Sequence, residues 1–373
     1  MIFIFLRTGL ILSFLFMLGC ANFSLQDTGN IFHPNTSNKS QFHNISITCD
    51  NVPQKDLLLC YMEKGLSFHY KKKYNKSNIF FLKAVELMDK FNKISIREQS
   101  SAVFINDKTM TYRGEYSERL WVHTYLMINF LLQYKYEKAL VEAKQALKIF
   151  DEYPGSLKND YFTRALIALC FENMHKYSDA RIEYEKLSQI IKSKKNLLKI
   201  CGPDMGELIL FVGQGSIPHK ISKDIILPPL IRISLPHYTN SYSHLPVYFN
   251  YTNKIPIMIT TNLGNIAATS LKKRTATLIA RHSIRTSTKE VIAKKIGEKS
   301  HIAETIFRAI SLLSEQADTR EWQSLPGSLT MIKLILQPGF HNISLSLGNT
   351  SKNLEIKNLE IHAKKKVYRS VRF

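Results

Sequence analysis

The sequence predicts an α+β protein, with an N-terminal half of all-α helical repeats followed by an antiparallel β-rich domain that contains an inserted helical block. Two observations predict this class. Apolar residues recur with the period of an α-helix from Asp56 to about residue 200, and short alternating runs separated by Pro, Gly and Asn follow. The apolar share of 45% is typical of a soluble globular protein, and 373 residues are enough for two domains.

The chain begins with a short apolar segment. Arg7 is the only charged side chain before Asp27, and eleven largely apolar residues, Thr8 to Leu18, follow it. A helix that crosses a membrane needs about 20 such residues, whereas this length matches the apolar region of a signal peptide. A longer span that included Arg7 would place a charge inside the bilayer. Residues 1–19 are therefore predicted to be a signal peptide.

The apolar segment ends at Gly19-Cys20. This ending resembles a bacterial lipobox, in which the cysteine thiol is acylated and the chain is cut just before it. The lipobox prefers leucine where this chain has Met17. The resemblance implies that Cys20 carries a lipid anchor, whose acyl chains contribute roughly 0.8 kcal/mol per buried CH₂. An ordinary cleaved signal and an uncleaved anchor are the alternatives.

Residues 20–52 comprise the lipidated cysteine and a stretch that is rich in Asn, Ser and Thr. This stretch has no sustained period, which indicates a flexible tether. The dipeptide Ala21-Asn22 lacks the aspartate that retains lipoproteins in the inner membrane of enteric-type bacteria. By that resemblance we expect an outer-membrane anchor and a body that faces the periplasm.

Five cysteines are present, and lipidation of Cys20 leaves an even number for pairing. Sequence proximity favours the pairs Cys49–Cys60 and Cys170–Cys201, each of which would join a helix to an adjoining loop. Free buried thiols are the alternative. None of the spacings resembles a zinc site.

Three segments of the N-terminal half repeat one another loosely. They are LLLCYMEKGLSFHYKKKYNKSNIFFLKAVELM, LWVHTYLMINFLLQYKYEKALVEAKQALKIF and YFTRALIALCFENMHKYSDARIEYEKLSQI. In each, a helix leads to a tyrosine-bearing turn, and a second helix follows with small residues facing the first. The pattern resembles the tetratricopeptide repeat, in which small residues let two helices pack closely. Gly65 fits that motif, whereas Met127 and Ala168 replace the glycine in the later repeats.

The repeats are degenerate. Their turns at Tyr74, Tyr136 and Tyr177 are about 62 and 41 residues apart, whereas tandem tetratricopeptide repeats recur every 34 residues. An insertion of roughly Asn92 to Ser117 separates the first two repeats. We expect a repeat domain at residues 53–200, because stacking buries the apolar face that one repeat leaves open. A generic helical bundle is the alternative.

The C-terminal half, residues 201–373, has the pattern of strands. The apolar runs are GELILFVG, DIILPPLIRISLP, LPVYFNYTNKIPIMIT, SLTMIKLILQ and HNISLSLG, and the late segments NLEIKNLEIHA and KKVYRSVRF are expected to complete an antiparallel sheet. Pro338-Gly339 predicts a hairpin turn between two of these runs. A helical block at residues 264–317 interrupts the strands, and we expect one face of the sheet to pack on it.

The sequence contains no recognisable catalytic motif. The sequence has neither a His-Glu-x-x-His pair nor a Gly-x-Ser-x-Gly elbow, and its twelve histidines are scattered. Gly213-x-Gly215 lacks the third glycine and the helix of a dinucleotide site, so we expect a strand-end turn there. We predict no catalytic residue, no metal site and no cofactor, and hence a protein that is not an enzyme.

The densest polar segment is LSEQADTREWQSLPG, between a predicted helix and a predicted strand. One interpretation is a ligand pocket formed by Asp318, Arg320 and Trp322, in which the guanidinium binds a carboxylate or phosphate through two hydrogen bonds. The other interpretation is a structural joint, in which Asp318 pairs with Arg320 and Trp322 seals the junction.

The net charge of +21 favours polyanionic partners, which in a cell envelope are lipid phosphates and cell-wall carboxylates rather than nucleic acid. Four cations of the helical block, Lys273, Arg281, Arg285 and Lys289, recur at multiples of four residues and share one helix face. This stripe is a candidate anion-binding surface. A solvated helix face and a lysine-rich composition bias are the alternative explanations.

Several stretches carry a wider resemblance. They are RGEYSERLWVHTYLMINFLLQYKYEKALVEAKQAL, GELILFVGQGSIPHK, LKKRTATLIARHSIRTSTK, ADTREWQSLPG and LILQPGFHNISL. Together they resemble an uncharacterised family of proteobacterial lipoproteins with a tetratricopeptide-like N-terminal half. The similarity extends from about Pro53 to Leu347. Genes of that family often lie near the gene of an outer-membrane lipoprotein that activates a penicillin-binding protein, which implies a role in cell-wall assembly.

These features predict an outer-membrane lipoprotein that acts as a non-enzymatic protein-binding scaffold or adaptor in the cell envelope. We expect the membrane to hold it through the N-terminal lipid, and protein partners to bind the groove of the repeats. A glycan- or lipid-binding module that uses the basic helix is the first alternative, with an anionic envelope polymer or lipid as its partner. An envelope hydrolase is the second.

Overall fold

The computed structural model describes residues 49–94, 110–192, 197, 202–227, 231–239, 245–250, 256–348, 350 and 352–373. The predicted signal peptide, Cys20, Cys201 and nearly all of the predicted tether lie outside these residues. The described chain belongs to one compact unit that combines helices and sheets, so the predicted α+β class is confirmed. Among the described residues, no helix is both long and apolar enough to cross a membrane.

Within the described residues, the N-terminal half contains three helix hairpins. The helices are α1 (Leu57–Tyr70), α2 (Tyr74–Ile94), α3 (Tyr116–Leu132), α4 (Tyr136–Glu152), the short α5 (Pro154–Leu157), α6 (Tyr161–Asn173) and α7 (Tyr177–Ile190). Two 3₁₀ turns, Cys49–Asn51 and Gln54–Asp56, precede them. In the hairpins α1 packs on α2, α3 on α4 and α6 on α7.

The three hairpins share one turn geometry. Lys72, Tyr134 and His175 adopt a left-handed backbone with φ values of 57°, 57° and 56°. Each lies two residues before the tyrosine that begins the second helix. In all three turns the N–H of the intervening lysine donates to the carbonyl oxygen five residues earlier. The three segments that resemble one another in sequence therefore have the same local structure at their turns.

Close packing in the first hairpin depends on a glycine. A Cβ atom added at Gly65 would lie 2.6 Å from ring carbons of Phe81, whose side chain is fully buried. The second helices of the later hairpins instead carry alanines that are fully buried, among them Ala139 and Ala180. Small residues therefore stand where two helices approach each other.

We expect Gly65→Ala to lower the free energy of unfolding by about 1–3 kcal/mol, even though alanine favours a helix by about 1 kcal/mol over glycine. The Phe81 ring cannot move away easily, because its centroid lies 6.0 Å from that of Tyr125 and 5.7 Å from that of Trp322. Urea denaturation measures the change. Gly202→Ala is the control, since the nearest atom there lies 4.0 Å from an added Cβ. Equal effects of the two substitutions would contradict the packing argument.

The described part of the C-terminal half forms three sheets. Its strands are β1 (Gly206–Gln214), β2 (Lys220–Leu227), β3 (Ile231–Tyr238), β4 (Val247–Asn250), β5 (Ile257–Asn262), β6 (Ser328–Leu336), β7 (Gly339–Leu347), β8 (Asn353–Ile361) and β9 (Lys366–Arg372). The central sheet has the order β5-β6-β1-β9, the outer sheet has the order β4-β7-β8, and β2 and β3 form a two-stranded ribbon. β9 pairs with β1 in parallel, and the other pairs are antiparallel.

The central sheet is buried on both faces. On one face Phe211 and Met331 join the core of the helical half, which includes Phe162. On the other face Leu210 and Ile332 form a second core with the outer sheet. This sandwiching explains why β1 and β6 are continuous apolar runs rather than alternating ones, because a strand covered on both sides has no solvated face.

Three expectations about the strands are wrong. β6 and β7 belong to different sheets, so the chain crosses between layers at Pro338-Gly339 and forms no hairpin there. The run DIILPPLIRISLP contributes to two strands, since consecutive prolines have no N–H groups to donate to a ladder. The final segment pairs with β1 in parallel rather than antiparallel, at the edge of β1 opposite to β6.

The inserted block consists of α8 (Leu263–Gly297) and α9 (His301–Ser314). The expectation that a sheet packs on this block is correct for the β2–β3 ribbon, because α8 packs mainly on β3, α9 and α5, but the central sheet has a different main cover. The helical half covers the central sheet instead. α3 and α6 are buried along nearly their whole length, and they offer the larger apolar surface.

The cysteines agree with one of the two predicted pairs. Cys49 and Cys60 form a disulfide that fastens the first 3₁₀ turn to α1. Cys170 is a free thiol within the core of the helical half, and burial raises its pKa. The structure therefore has Cys170 as a free thiol and not in the predicted pair, whose other member, Cys201, lies outside the described residues.

Candidate functional site

A buried polar cluster joins the helical half to the segment that connects α9 to β6. We call it the junction cluster, and its members are Glu63, Glu115, Glu118, Lys220 and Glu321. All five side chains are buried, and four of them are carboxylates. Buried carboxylates are costly unless each is paired or hydrogen-bonded, so their partners determine what the cluster can do.

Glu118 holds the connecting segment against the start of α3. Its carboxylate accepts a hydrogen bond from the N–H of Glu115 at 2.7 Å and one from the N–H of Trp322 at 2.8 Å. The Tyr112 hydroxyl also donates to it. The first bond satisfies an N–H group that the first turn of the helix leaves unpaired. Burial raises the pKa of Glu118 above the usual carboxylate range.

Glu115 is the carboxylate of the cluster whose charge is paired with two cations. It accepts hydrogen bonds from Lys220 Nζ at 3.1 Å and from Arg274 Nη1 at 2.8 Å. Burial would raise the pKa of this carboxyl, but the two cations outweigh that effect and lower it to about 2. Glu115 thus ties β2 and α8 to the beginning of α3.

Glu63 holds the same connecting segment from α1. Its carboxylate accepts from the backbone N–H groups of Gln323 at 2.7 Å and Ser324 at 3.4 Å. Burial raises the pKa of this carboxyl to about 7, because the hydrogen bonds that it accepts offset the loss of hydration only in part. Glu321 similarly accepts from the N–H of Lys220 at 2.5 Å. The junction carboxylates therefore bind the protein's own backbone.

We expect Glu63→Gln to flatten the pH dependence of stability. The folded pKa of about 7 exceeds the ordinary glutamate pKa of 4.5, so the native state binds more protons than the unfolded state between these pH values. The free energy of unfolding contributed by this group therefore falls by about 3 kcal/mol as the pH rises through that window. Glutamine does not titrate, yet it keeps an oxygen that can accept from Gln323.

Urea denaturation at a series of pH values measures this effect. The variant should gain stability relative to the wild type as the pH rises from about 4.5 to 7. Glu185→Gln is the matched control, because Glu185 lies on the surface in a pair with Arg181. Parallel profiles for the wild type and Glu63→Gln would contradict the raised pKa.

The three residues of the predicted polar pocket form a joint. Arg320 donates to Asp318 at 2.8 Å, to Asp56 at 2.6 Å and to the carbonyl oxygen of Met110 at 2.8 Å. Trp322 has no exposed surface. The guanidinium is thus occupied by acceptors from the protein. This arrangement matches the structural-joint interpretation rather than the ligand-pocket interpretation.

The predicted cationic stripe does not form one exposed face. Arg285 is fully buried and donates to Glu315 at 2.8 Å, while Lys289 donates to the same carboxylate at 3.0 Å. Lys273 is exposed, and the side chain of Arg281 lies outside the described part of the chain. The predicted anion-binding stripe is therefore wrong, because the carboxylate of Glu315, which follows α9, pairs with Arg285 and Lys289.

The structure contains a second buried cluster of charged side chains, which the sequence analysis did not predict. Lys333 lies 2.9 Å from oxygens of both Glu172 and Glu207, and Lys366 pairs with the same two carboxylates. The cluster ties α6 to the central sheet with two charges of each sign. A signal was present, because Lys333 and Glu207 are charged residues within otherwise apolar strands, and such residues are rarely buried without a partner.

A shallow cleft lies between α8, α9 and β3. Its polar lining includes Arg232, Glu290 and Arg308, and Phe307 supplies an apolar wall. Arg308 binds Glu290 at 2.8 Å and Arg232 binds Asp224 at 2.6 Å, so both cations already have partners. Within the described residues, no group of three His, Cys, Asp or Glu side chains could hold a metal ion.

The connections of both clusters run between the helical half and the C-terminal half, which indicates that their principal role is to join them. Comparison of the chain with protein-family models, with curated proteins and with solved structures gives no match. The function of this protein must therefore be inferred from its own residues.

Proposed function

We propose that this protein is a lipid-anchored outer-membrane protein that serves as a non-enzymatic scaffold for a protein partner in the cell envelope. The shared turn geometry of the three helix hairpins carries the proposal. Hairpins that stack side by side offer an extended surface with regularly spaced side chains, which is how helical repeats bind proteins. The lipobox-like ending at Cys20 supplies the anchor, and the resemblance to envelope lipoproteins supplies the link to cell-wall assembly.

The degenerate tetratricopeptide character belongs to this proposal. It is supported by small residues at the helix contacts, since Gly65 packs against Phe81, and Ala139 and Ala143 in the second hairpin and Ala180 in the third are fully buried. The departures from a regular array are the long first spacing and the bulky Met127. In this proposal they distinguish the array from a uniform solenoid.

The partner surface in this proposal is the face formed by α2, α4 and α7. The first helices, α1, α3 and α6, contact the C-terminal half through Glu63, Glu118 and Glu172 among others, so that face of the array is already occupied. The second helices instead expose apolar side chains to solvent, including Ile79, Leu82, Val141 and Ile182. Exposed apolar side chains on neighbouring helices are typical of a protein-binding surface.

Photocrosslinking in living cells tests the scaffold. A photoreactive residue at position 79, 141 or 182 is expected to capture the same envelope protein, whereas one at position 226 is not. Ile226 is a suitable control, because it is also exposed but lies on the β2 strand. An absence of adducts at all three array positions, or an identical pattern at position 226, would count against the proposal.

Metabolic labelling tests the anchor separately. A cell fed with an alkyne-bearing fatty acid should label the wild-type protein and leave Cys20→Ala unlabelled, because the acyl chain needs the cysteine thiol. Equal labelling of both would contradict lipidation at this residue. The stripe of Lys273, Arg281, Arg285 and Lys289 gives the first alternative little support, because Glu315 pairs with two of its members. The junction carboxylates give an envelope hydrolase little support, because they are engaged by backbone groups.

A further inference from the structure

α9 carries an apolar ridge on its outer side. Ile302, Ile306 and Ile310 are spaced four residues apart, so they share one helix face. They are 75%, 55% and 60% exposed. Scattered exposed isoleucines are ordinary, but three in a row along one short helix form a continuous surface.

The inner side of α9 is the more polar one. Arg308 binds Glu290 of α8 at 2.8 Å and Glu304 of its own helix at 2.9 Å. The half-buried Phe307 and Leu312 complete this inner side at the cleft. In a soluble helix the apolar stripe normally faces the core. On α9, part of the apolar surface faces outward and the ion pairs face α8. We therefore expect another surface to cover the isoleucine ridge.

The charges beside the ridge indicate what covers it. The tip of the α8–α9 hairpin exposes Lys294, Lys295 and Lys299, with Glu298 as the only acidic residue between them. The whole chain has a net charge of +21. An apolar ridge with exposed lysines at one end fits a bilayer that contains anionic lipids, since each lysine near such a surface contributes about 1 kcal/mol. A second copy of this chain would bring like charges together.

We propose that the α8–α9 hairpin docks onto a membrane surface. The isoleucine ridge of α9 enters the interfacial region of the bilayer, and the tip lysines lie at the level of the lipid phosphates. This contact goes beyond the scaffold function, and it depends on neither Cys20 nor the partner face. It would set the orientation of the protein at the membrane rather than merely its attachment.

Fluorescence quenching by brominated lipids tests the contact on the full chain. Both native tryptophans, Trp121 and Trp322, are fully buried, so an added tryptophan reports its own surroundings. Vesicles of brominated phosphatidylcholine with phosphatidylglycerol should quench Ile306→Trp about twofold or more relative to unbrominated vesicles, because the ridge enters the bilayer. Val141→Trp on α4 should be quenched much less. An N-terminal anchor affects both variants equally, so it cannot produce this difference.

Charge reversal at the tip provides the second measurement. Lys294→Glu, Lys295→Glu and Lys299→Glu together should reduce the quenching of Ile306→Trp to that of Val141→Trp, and high salt should weaken it as well. Equal quenching at positions 306 and 141 in the unreversed chain would overturn the proposal. A lipid-free dimer that Ile302→Ser, Ile306→Ser and Ile310→Ser convert to a monomer would also overturn it, because the ridge would then bind a second copy.

Discussion

Lys333→Met is expected to lower the free energy of unfolding by about 3–5 kcal/mol, because it leaves two buried carboxylates with one remaining cation. Lys333 is fully buried on β6, where its Nζ atom lies 2.9 Å from oxygens of Glu172 and Glu207. Lys366 is the remaining cation, and it cannot neutralise both. The loss should be measured by urea denaturation, with circular dichroism as the signal.

A surface pair provides the matched control for this substitution. Lys357 and Glu355 lie 3.0 Å apart on β8, and both side chains are exposed. Lys357→Met should change stability by less than about 1 kcal/mol, because water screens an exposed pair. Equal losses for the two substitutions would show that burial of the Lys333 cluster has no energetic consequence.

The pH gives a further check on the same variant. The two lysines lower the pKa of Glu172 in the wild type despite its burial. Without Lys333 that pKa must rise, so the folded variant takes up protons more readily than the folded wild type. The difference in stability between the two should therefore shrink as the pH falls toward the ordinary carboxyl pKa of about 4.

Trp322→Ala is the second substitution with a large expected effect, a loss of about 3–5 kcal/mol. The indole is fully buried between Phe81 and Tyr125, with ring centroids 5.7 Å and 5.9 Å away. Its Nε1 atom also donates to the Ser324 hydroxyl at 3.1 Å. Alanine would leave a cavity at the contact between the helical half and the connecting segment.

Two controls make the Trp322 result interpretable. Trp322→Phe keeps most of the ring volume and should lose less than the alanine variant. Phe340→Ala removes an exposed ring on β7, so its effect should stay within about 0.5 kcal/mol. A stable Trp322→Ala protein would instead favour a pocket at this position, because a residue that only contacts a ligand can be removed without unfolding the chain.

Much of the fold could be predicted because its signals are local. The helical period identified all three hairpins, and the apolar runs identified the segments that contain most strands. The pair Cys49–Cys60 was also accessible, since only 11 residues separate the two positions. At the candidate site, the neighbours Asp318 and Arg320 were correctly paired for the same reason.

The larger errors concern partners that are distant in the chain. Pro338-Gly339 has the composition of a hairpin turn, yet the strands on either side join different sheets. The spacing of Arg285 predicts an exposed position in a cationic stripe, yet its side chain is buried and donates a hydrogen bond to Glu315. The hydrogen bond from the Gln323 backbone to Glu63 could not be predicted, because the two residues are 260 positions apart and no local pattern links them.

The sequence alone is therefore sufficient to predict the helices, the turns of the three hairpins and the short-range disulfide. Backbone hydrogen bonds and apolar periodicity act over a few residues, so they can be read directly. Tertiary packing settles the layering of the sheets, the partners of the buried charges and the face of α9 that meets solvent. Those features depend on which surfaces bury the most apolar area together and on which carboxylates then need a cation, and both are properties of the assembled core.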